Sequence, residues 1–217
     1  MTQAHFATTH WSVVLSAADP VSPAGRQALG TLCETYWSPA YAYLRRQGKN
    51  PQQAEDLTQA FFTRVLEKNF FHDVSPEKGR FRTFLLLCLK RFLINEHEYA
   101  TAQKRGGTSA PLSLDFQHAE ERFTLEPVDH TTPEQIFDRR WALTVLETAL
   151  SKLQTEMHAA GKQNTFDSLK VYLVAHSTPP AYTEIAATLQ STEGAIKVAV
   201  HRLRHRYAGL LRQEVSG

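Results

Sequence analysis

Residues 181–212, AYTEIAATLQSTEGAIKVAVHRLRHRYAGLLR, decide the fold of the carboxyl-terminal part of the chain. Apolar residues recur there at helical spacing on both sides of a polar break at 190–192, which predicts a short helix, a tight turn and a long helix. Thr192 is a good N-cap for the long helix. The residues expected to face the core are Tyr182, Ile185, Ala186 and Leu189 in the short helix and Ile196, Val200, Leu203, Tyr207 and Leu210 in the long one.

The opposite face of the predicted long helix is small and basic. At 100° per residue, the residues that lie opposite the buried stripe are Gly194, Val198, His201 and His205, with Arg202 nearby. The residues that flank the stripe are Lys197, Arg204 and Arg206. Small residues let a helix approach base edges and cations reach phosphates, so the pattern fits the recognition helix of a helix-turn-helix. The alternative is a solvated last helix that binds nothing, and periodicity alone does not separate the two.

The rest of the chain is also predicted to be helical, because no convincing alternating strand is present. We predict helices over 26–47, with a kink or break at Pro39, over a segment that follows Asn50, and over 81–104. The last of these is apolar on nearly all sides between residues 84 and 89, so we expect it to be the central core helix.

Local capping patterns predict where several helices begin and end. Asn50 with Gln53, and Thr132 with Gln135, have the spacing of capping boxes at helix starts. Gly161 is the expected stop of the helix that begins after Thr132. The fold class is therefore all-α, with two small helical domains joined by a linker. The predicted divisions are an extension over 1–25, a first domain over 26–105, an acidic linker over 106–132 and a second domain over 133–217.

Charge is nearly balanced overall but uneven along the chain. The 217 residues hold 24 Lys and Arg against 22 Asp and Glu, a net charge of +2. Basic residues outnumber acidic ones by six to two over 80–105 and by five to two over 191–217, whereas acidic residues lead by seven to three over 111–140. Two basic segments around an acidic spacer indicate two modules that share one polyanionic partner.

Composition excludes several classes of protein. Two cysteines, Cys33 and Cys88, make no disulfide framework and favour a cytoplasmic protein. We expect no signal peptide and no membrane span, since the longest apolar run covers only residues 84–89. No nucleophile-elbow, Walker or dinucleotide-binding motif is present, so we expect no enzyme and no cofactor. His201 and His205 have a zinc-clamping spacing but lack a third ligand and lie among arginines, so we expect no metal.

Two parts of the chain resemble, in the same order, two regions of one protein family. Region 2.2 of bacterial sigma factors is similar to QAEDLTQAFF at 53–62, and the region 2.3–2.4 helix is similar to FRTFL at 81–85 with Lys90, Arg91 and Asn95. Region 4 of the extracytoplasmic-function type resembles YTEIAATL at 182–189, TEGAIK at 192–197 and HRLR at 201–204. The family usually has Trp at position 84, Asp at 95, and Gly followed by an apolar residue at 190–191.

The resemblance implies a non-catalytic subunit that directs bacterial RNA polymerase core to promoter DNA. It implies docking of region 2.2 on the β′ clamp helices through Glu55, Asp56, Gln59 and Phe62. It assigns the minus-10 element to Arg80, Arg82, Lys90, Arg91, Asn95, Lys104 and Arg105. It assigns the minus-35 element to Thr192, Glu193, Gly194, Ala195, Lys197, His201, Arg202 and Arg206, with the β flap near region 4.

Some assignments that the resemblance suggests stay open at this point. Phe61 is expected in the core, whereas Phe62 fits either the core or the polymerase surface. The loop that captures an unstacked base in the family corresponds to residues 69–80, with candidates Asn69, His72, Asp73 and Lys78.

Trp11 and the apolar run after it lie outside the resemblance and fit either a packing arm or a partner site. An anti-sigma factor is left open as a further partner.

Two other functions are compatible with the predicted fold. One is a stand-alone helix-turn-helix transcription regulator whose amino-terminal module senses a ligand or dimerises. The other is an all-helical adaptor that binds proteins and no DNA. Residues 53–62 favour the sigma factor, because a ligand-sensing module has no reason to carry a polymerase-docking helix.

Overall fold

The computed structural model describes residues 11–67, 71, 74–75, 77, 79–102, 114–124, 131–173 and 178–216. Most of these residues are helical and none of them is in a strand, which confirms the all-α prediction. The helices are α1 (Trp11–Ser16), α2 (Pro23–Arg46), α3 (Pro51–Glu67), α4 (Phe81–Ala102), α5 (Phe116–Thr124), α6 (Pro133–Ala159), α7 (Gln163–Leu169), α8 (Tyr182–Thr188) and α9 (Glu193–Ser216).

The helices are grouped into two units whose boundary lies inside α6. The first unit extends to Thr144, and the second covers Val145–Glu214. This differs from the boundary at residue 133 that the composition suggested. The physical reason is that Ile136, Phe137 and Trp141 are buried, with the Phe137 ring stacked 6.4 Å from the ring of Tyr36 in α2. The first turns of α6 therefore belong to the core of the first unit.

Aromatic rings on α2, α3 and α4 build the core of the first unit. The Tyr36 and Phe81 rings meet edge to face at 5.5 Å, and the Phe61 ring lies 5.6 Å from that of Phe92. Such ring pairs contribute about 0.5–1.5 kcal/mol each beyond the burial of their area. Pro39, where we predicted a kink or a break, lies inside α2, and the helix does not break there. Buried residues on both sides of the proline hold the helix together despite the missing hydrogen bond.

The predicted core helix α4 contributes to the core, but it is buried on one side only. Leu85, Leu89 and Phe92 are buried, but the side chain of Leu87 is 49% exposed and that of Ile94 is 60% exposed. A continuous apolar run cannot reveal that only one side of a helix is covered, because the periodic contrast between faces is missing from it. α4 thus has a core face and an open face.

Part of the predicted acidic linker is a helix that packs on the first unit. Both Arg45 Nε and Nη2 donate to the Glu120 carboxylate at 2.7 Å, and the Tyr41 hydroxyl donates to it at 2.6 Å. The pKa of Glu120 is lowered, chiefly because of the hydrogen bonds from Arg45. The Phe116 ring lies 5.3 Å from the ring of Trp37. These contacts fix α5 against α2, so this stretch is not a free spacer.

Two predicted capping boxes are confirmed. The Gln53 amide N–H donates to Asn50 Oδ1 at 2.9 Å, and the Asn50 amide N–H donates to Gln53 Oε1 at 3.1 Å. The same reciprocal pair links Thr132 and Gln135 at the start of α6. Each box satisfies amide groups that a helix start otherwise leaves unpaired, which explains why local sequence was sufficient to place it.

The second unit has its own apolar core, drawn from α6, α7, α8 and α9. Its buried residues are Ala149, Leu153, Phe166, Leu169, Tyr172, Ala186, Ile196, Val200, Leu203 and Leu210. α6 ends at Ala159, and Gly161 follows with φ +66°, as its role as the stop predicts. Gln190, in the turn between α8 and α9, has φ +50°. That left-handed conformation favours glycine, so Gln190 carries a local strain there.

Candidate nucleic-acid interface

The cations of α4 lie on two different sides of that helix. Thr83, Leu87, Arg91 and Ile94 recur at intervals of three and four residues and are all exposed; we call them the open face of α4. Arg80, just before the helix, is exposed, and its side chain has no hydrogen bond or ion pair to any described residue. Arg80 and Arg91 are therefore available to an anionic ligand.

The other two described cations that were predicted to contact DNA are engaged by α6. Arg82 Nε lies 3.0 Å from Asp138 Oδ1, and the guanidinium lies 4.5 Å from the centre of the Trp141 ring. Lys90 Nζ lies 2.7 Å from Glu134 Oε1. The hydrogen bond between them raises the pKa of Lys90 and lowers that of Glu134. A phosphate would have to displace these carboxylates before it could contact Arg82 or Lys90.

A cavity of about 210 Å³ opens beside the open face of α4; we call it the α1–α4 cavity. Two aromatic side chains, two hydroxyls and one cation are among the groups around it. The residues that line it are Trp11, Val74, Ser75, Gly79, Arg80, Thr83, Phe84 and Leu87. Sequence analysis left Trp11 between two roles and did not single out Ser75 or Thr83. These residues are identified only because α1 and residues 74, 75, 79 and 80 lie close to α4 in the fold, although α1 is distant from them along the chain.

Of the residues of α3 that were predicted to dock on the polymerase, three are accessible to solvent and one is buried. Asp56 is exposed and accepts a hydrogen bond from Gln52 Nε2 at 3.1 Å, and Glu55 and Gln59 are half-buried. Phe62 is only 2% exposed, and its ring meets that of Phe61 at 5.1 Å. The structure therefore places Phe62 in the core, where it cannot touch a partner without rearrangement, and leaves the three polar side chains on the outside.

The exposed side of α9 matches the predicted small and basic face. Thr192 Oγ1 accepts a hydrogen bond from the Ala195 amide at 3.2 Å, and a Cβ at Gly194 would meet nothing within 4 Å. His201 and Arg202 are exposed, and Arg202 has no hydrogen bond or ion pair with any residue that the structure describes. The start of α9 therefore leaves room for a ligand to come close to the helix backbone.

Other cations of α9 already have partners. Lys197 Nζ lies 2.6 Å from Glu193 Oε1, and Arg206 forms an ion pair with Glu156 of α6. Arg204 Nε and Nη2 donate to the backbone oxygen of Tyr172 at 3.2 and 3.1 Å. Arg204 therefore ties α9 to the chain beyond α7, whereas the carboxylates beside Lys197 and Arg206 are exposed and can be exchanged for phosphate.

Several predicted residues lie outside the part of the chain that the structure describes. They are Lys104 and Arg105 of the minus-10 assignment and the loop candidates Asn69, His72, Asp73 and Lys78. Within the described residues, no group of three or more His, Cys, Asp or Glu side chains could hold a metal ion. In the same residues, no helix is both long enough and apolar enough to cross a membrane.

Comparison with protein families identifies part of the first unit. Residues 32–103 match the model of the family sigma-70 region 2, and this segment spans most of α2 and all of α3 and α4. The match supports a sigma-70 family factor, as the motifs in α3 and α4 had indicated. No curated protein and no solved structure gave a significant match to the chain.

Proposed function

From the premise that residues 32–103 form a sigma-70 region 2 domain, we propose that the chain is an extracytoplasmic-function sigma factor. It would direct core RNA polymerase to promoters through minus-10 and minus-35 contacts, without catalysing a reaction itself. The observation that carries this proposal is the family match to α3 and α4. The role implies a cytoplasmic protein whose partners are core polymerase and promoter DNA.

In this proposal the open face of α4 holds the minus-10 element. A single strand is bound by cations along its backbone and by surfaces on which unpaired bases stack. Arg80 and Arg91 supply unengaged cations, and the α1–α4 cavity supplies aromatic walls. Asn95, exposed near the end of the same helix, is a further candidate contact. Arg82 and Lys90 would join only if Asp138 and Glu134 released them.

The proposed polymerase contact is the acidic outer side of α3. Glu55, Asp56 and Gln59 lie within the segment that matches region 2, and Asp56 is exposed. An acidic helix face suits a partner helix that bears arginines, because complementary charge fixes the register and speeds association. The family role of this region makes the β′ clamp helices the expected partner.

The proposed minus-35 contact is the start of α9. Its exposed glycine and alanine, Gly194 and Ala195, would let the helix approach the floor of the major groove. Arg202 is free to reach a phosphate or a base, and Lys197 and Arg206 can reach one by leaving their carboxylates. Thr192, Glu193 and His201 complete the proposed surface, and the β flap would lie beside it.

Transcription in vitro with purified core polymerase and a promoter library tests this proposal. We expect the chain to bind core and to start transcription at a subset of promoters, and Asp56→Lys to weaken core binding at least tenfold. Glu34→Lys, a charge reversal at an exposed position of α2 in the same unit, is the matched control and should bind core as the wild type does. The proposal fails if the wild type does not bind core. Nanomolar binding to specific duplexes without core would instead favour the stand-alone regulator.

A further inference from the structure

The α1–α4 cavity joins two parts of the chain that the family match treats differently. Most of its lining comes from α4 and from residues 74, 75, 79 and 80, which lie inside the matched segment. Trp11 comes from α1, which lies outside that segment. The family match therefore says nothing about the contribution of Trp11 to the cavity.

Packing against α2 fixes the position of α1. Val14 and Ala17 are buried, and the turn after α1 passes so close to α2 that a Cβ at Gly25 would lie 1.8 Å from the backbone oxygen of Asp19. Ser22 then caps α2 by accepting a hydrogen bond from the Gly25 amide at 2.9 Å. Only glycine permits this approach, so Trp11 is presented to the cavity by an anchored helix and not by a free arm.

The groups around the cavity suit one kind of ligand. Trp11 and Phe84 offer aromatic surface, the hydroxyls of Ser75 and Thr83 can donate and accept hydrogen bonds, and Arg80 adds an unengaged positive charge. At about 210 Å³ the cavity is smaller than the roughly 300 Å³ at which pockets for whole small-molecule ligands begin. It therefore fits a single ring system whose attached chain stays outside and carries negative charge.

An unpaired nucleobase on a single strand meets all of these conditions. Its ring stacks on aromatic side chains, its edge forms hydrogen bonds with hydroxyls, and the adjoining phosphate pairs with a cation. A base within a duplex does not qualify, because it is stacked on both sides and cannot enter a cavity. The open face of α4 beside the cavity, with Arg91, gives the rest of the strand a cationic path.

We propose that Trp11 is a strand-binding residue that stacks on one unpaired base of single-stranded DNA held in the α1–α4 cavity. The proposal rests on the proposed function, since the strand would be the opened promoter. It goes beyond that function because it makes the amino-terminal helix part of the strand-binding surface. Affinity for the opened strand then depends on a side chain that lies outside region 2.

Binding of fluorescent oligo(dA) and oligo(dT) 12-mers to the full chain, alone and with core polymerase, tests this inference. Trp11→Ala should weaken binding by about fivefold to 100-fold, the range for loss of one stacked base. Trp11→Phe should restore most of the affinity. Leu15→Ala, at an exposed position of α1 that does not line the cavity, is the matched control and should bind as the wild type does.

Two further measurements separate stacking from a structural role. A stacked base quenches indole emission, so a bound 12-mer should quench the wild type more than Trp11→Phe, in which Trp37 and Trp141 remain. Circular dichroism should show equal helix content in all variants. Equal affinity of Trp11→Ala and wild type, or no strand binding by the wild type in either setting, overturns the inference. Failure of core binding overturns the proposed function alone, since the assay without core still reports on Trp11.

Discussion

Acidic side chains pair with cations in both units, but the pairs differ in their surroundings. In the first unit, residues of α5 and α6 pair with cations of α2 and α4, and the side chains of Arg45 and Arg82 are only 17% and 15% exposed, although those of Lys90 and Glu134 are 40% and 43% exposed. In the second unit, the pairs lie on exposed surface along α9. The pairs compared are Arg45–Glu120, Arg82–Asp138 and Lys90–Glu134 in the first unit and Lys197–Glu193 and Arg206–Glu156 in the second.

A local count of charged residues therefore does not measure the charge that is available to a ligand. The sequence shows a basic segment followed by an acidic one, which suggested a DNA-binding module and a separate spacer. In the fold, the acidic segment neutralises part of the basic one, and Arg82 even stacks on a ring of α6. On α9 both members of each pair are exposed, so phosphate can compete for Lys197 and Arg206, whereas the Arg82 side chain is only 15% exposed.

Phe137→Ala tests whether the start of α6 belongs to the first unit. Phe137 is buried and stacked on Tyr36, so its truncation should lower the free energy of unfolding by about 3–5 kcal/mol. Urea denaturation followed by tryptophan fluorescence measures it, because all three tryptophans lie in the first unit. Leu146→Ala, at an exposed position of the same helix, is the control. A loss below about 1 kcal/mol for Phe137→Ala would restore the idea of a separate linker.

Glu120→Gln tests the pair that docks α5. Because Glu120 accepts three hydrogen bonds, two of them from Arg45, the substitution should cost about 1–2 kcal/mol at pH 7. Since the folded state lowers the pKa of this carboxyl, its contribution is present above the unfolded pKa of about 4.3 and is lost as the pH falls through the folded pKa. Denaturation at pH 7 and pH 3 should therefore show the difference from wild type shrinking in acid.

The exposed neighbour Glu121 supplies the control for that experiment. Its side chain is 61% exposed, lies 3.8 Å from His118 Nδ1 and accepts an exposed hydrogen bond from Gln117 Nε2 at 3.3 Å. Glu121→Gln should change stability little at either pH. A difference between wild type and Glu120→Gln that stays constant or grows in acid would contradict the account of the pair.

Whether an interaction could be predicted from the sequence depended on how far apart its residues lie along the chain. The capping boxes at Asn50 and Thr132 and the stop at Gly161 involve residues three or fewer positions from the helix end, and all were predicted correctly. The docking of α5 joins Arg45 to Glu120 across 75 positions, and no local pattern encodes it. A stretch with weak periodicity and acidic composition therefore suggested a linker where a helix packs.

The candidate site shows the same limit. Helical spacing placed Phe61 in the core, but whether the adjoining Phe62 is covered depends on what packs beside it. Resemblance assigned the minus-10 contacts to α4 and the residue before it, yet it could not tell Arg80 from Arg82, since residues of α6 pair only with the latter. The α1–α4 cavity lies between Trp11 and residues more than sixty positions away, and its existence follows only from the packing of α1 on α2.

Arg202→Ala and Arg82→Ala test which cations meet DNA. Arg202 is unengaged, so its loss should reduce the dependence of log affinity on log salt by about one unit, which is about fourfold in affinity between 50 and 200 mM salt. Arg82→Ala should leave that slope unchanged and instead lower stability, because Asp138 and Trp141 hold the side chain. Anisotropy of a fluorescent promoter bound to the holoenzyme measures the slopes. Equal reductions in both variants would show that α6 releases Arg82 on binding.

Arg206→Ala is expected to have the smallest effect on stability. The Arg206–Glu156 pair is exposed on both sides, so water and salt screen it and two long side chains lose freedom in forming it. We expect the thermal midpoint, followed by circular dichroism, to shift by no more than about 1 °C. Glu156→Ala should behave alike, and the double variant should show no coupling between the two positions. A clear coupling that persists at high salt would make this pair as structural as Arg45–Glu120. Arg206 would then be held by its own fold and could not serve as an exchangeable contact for DNA.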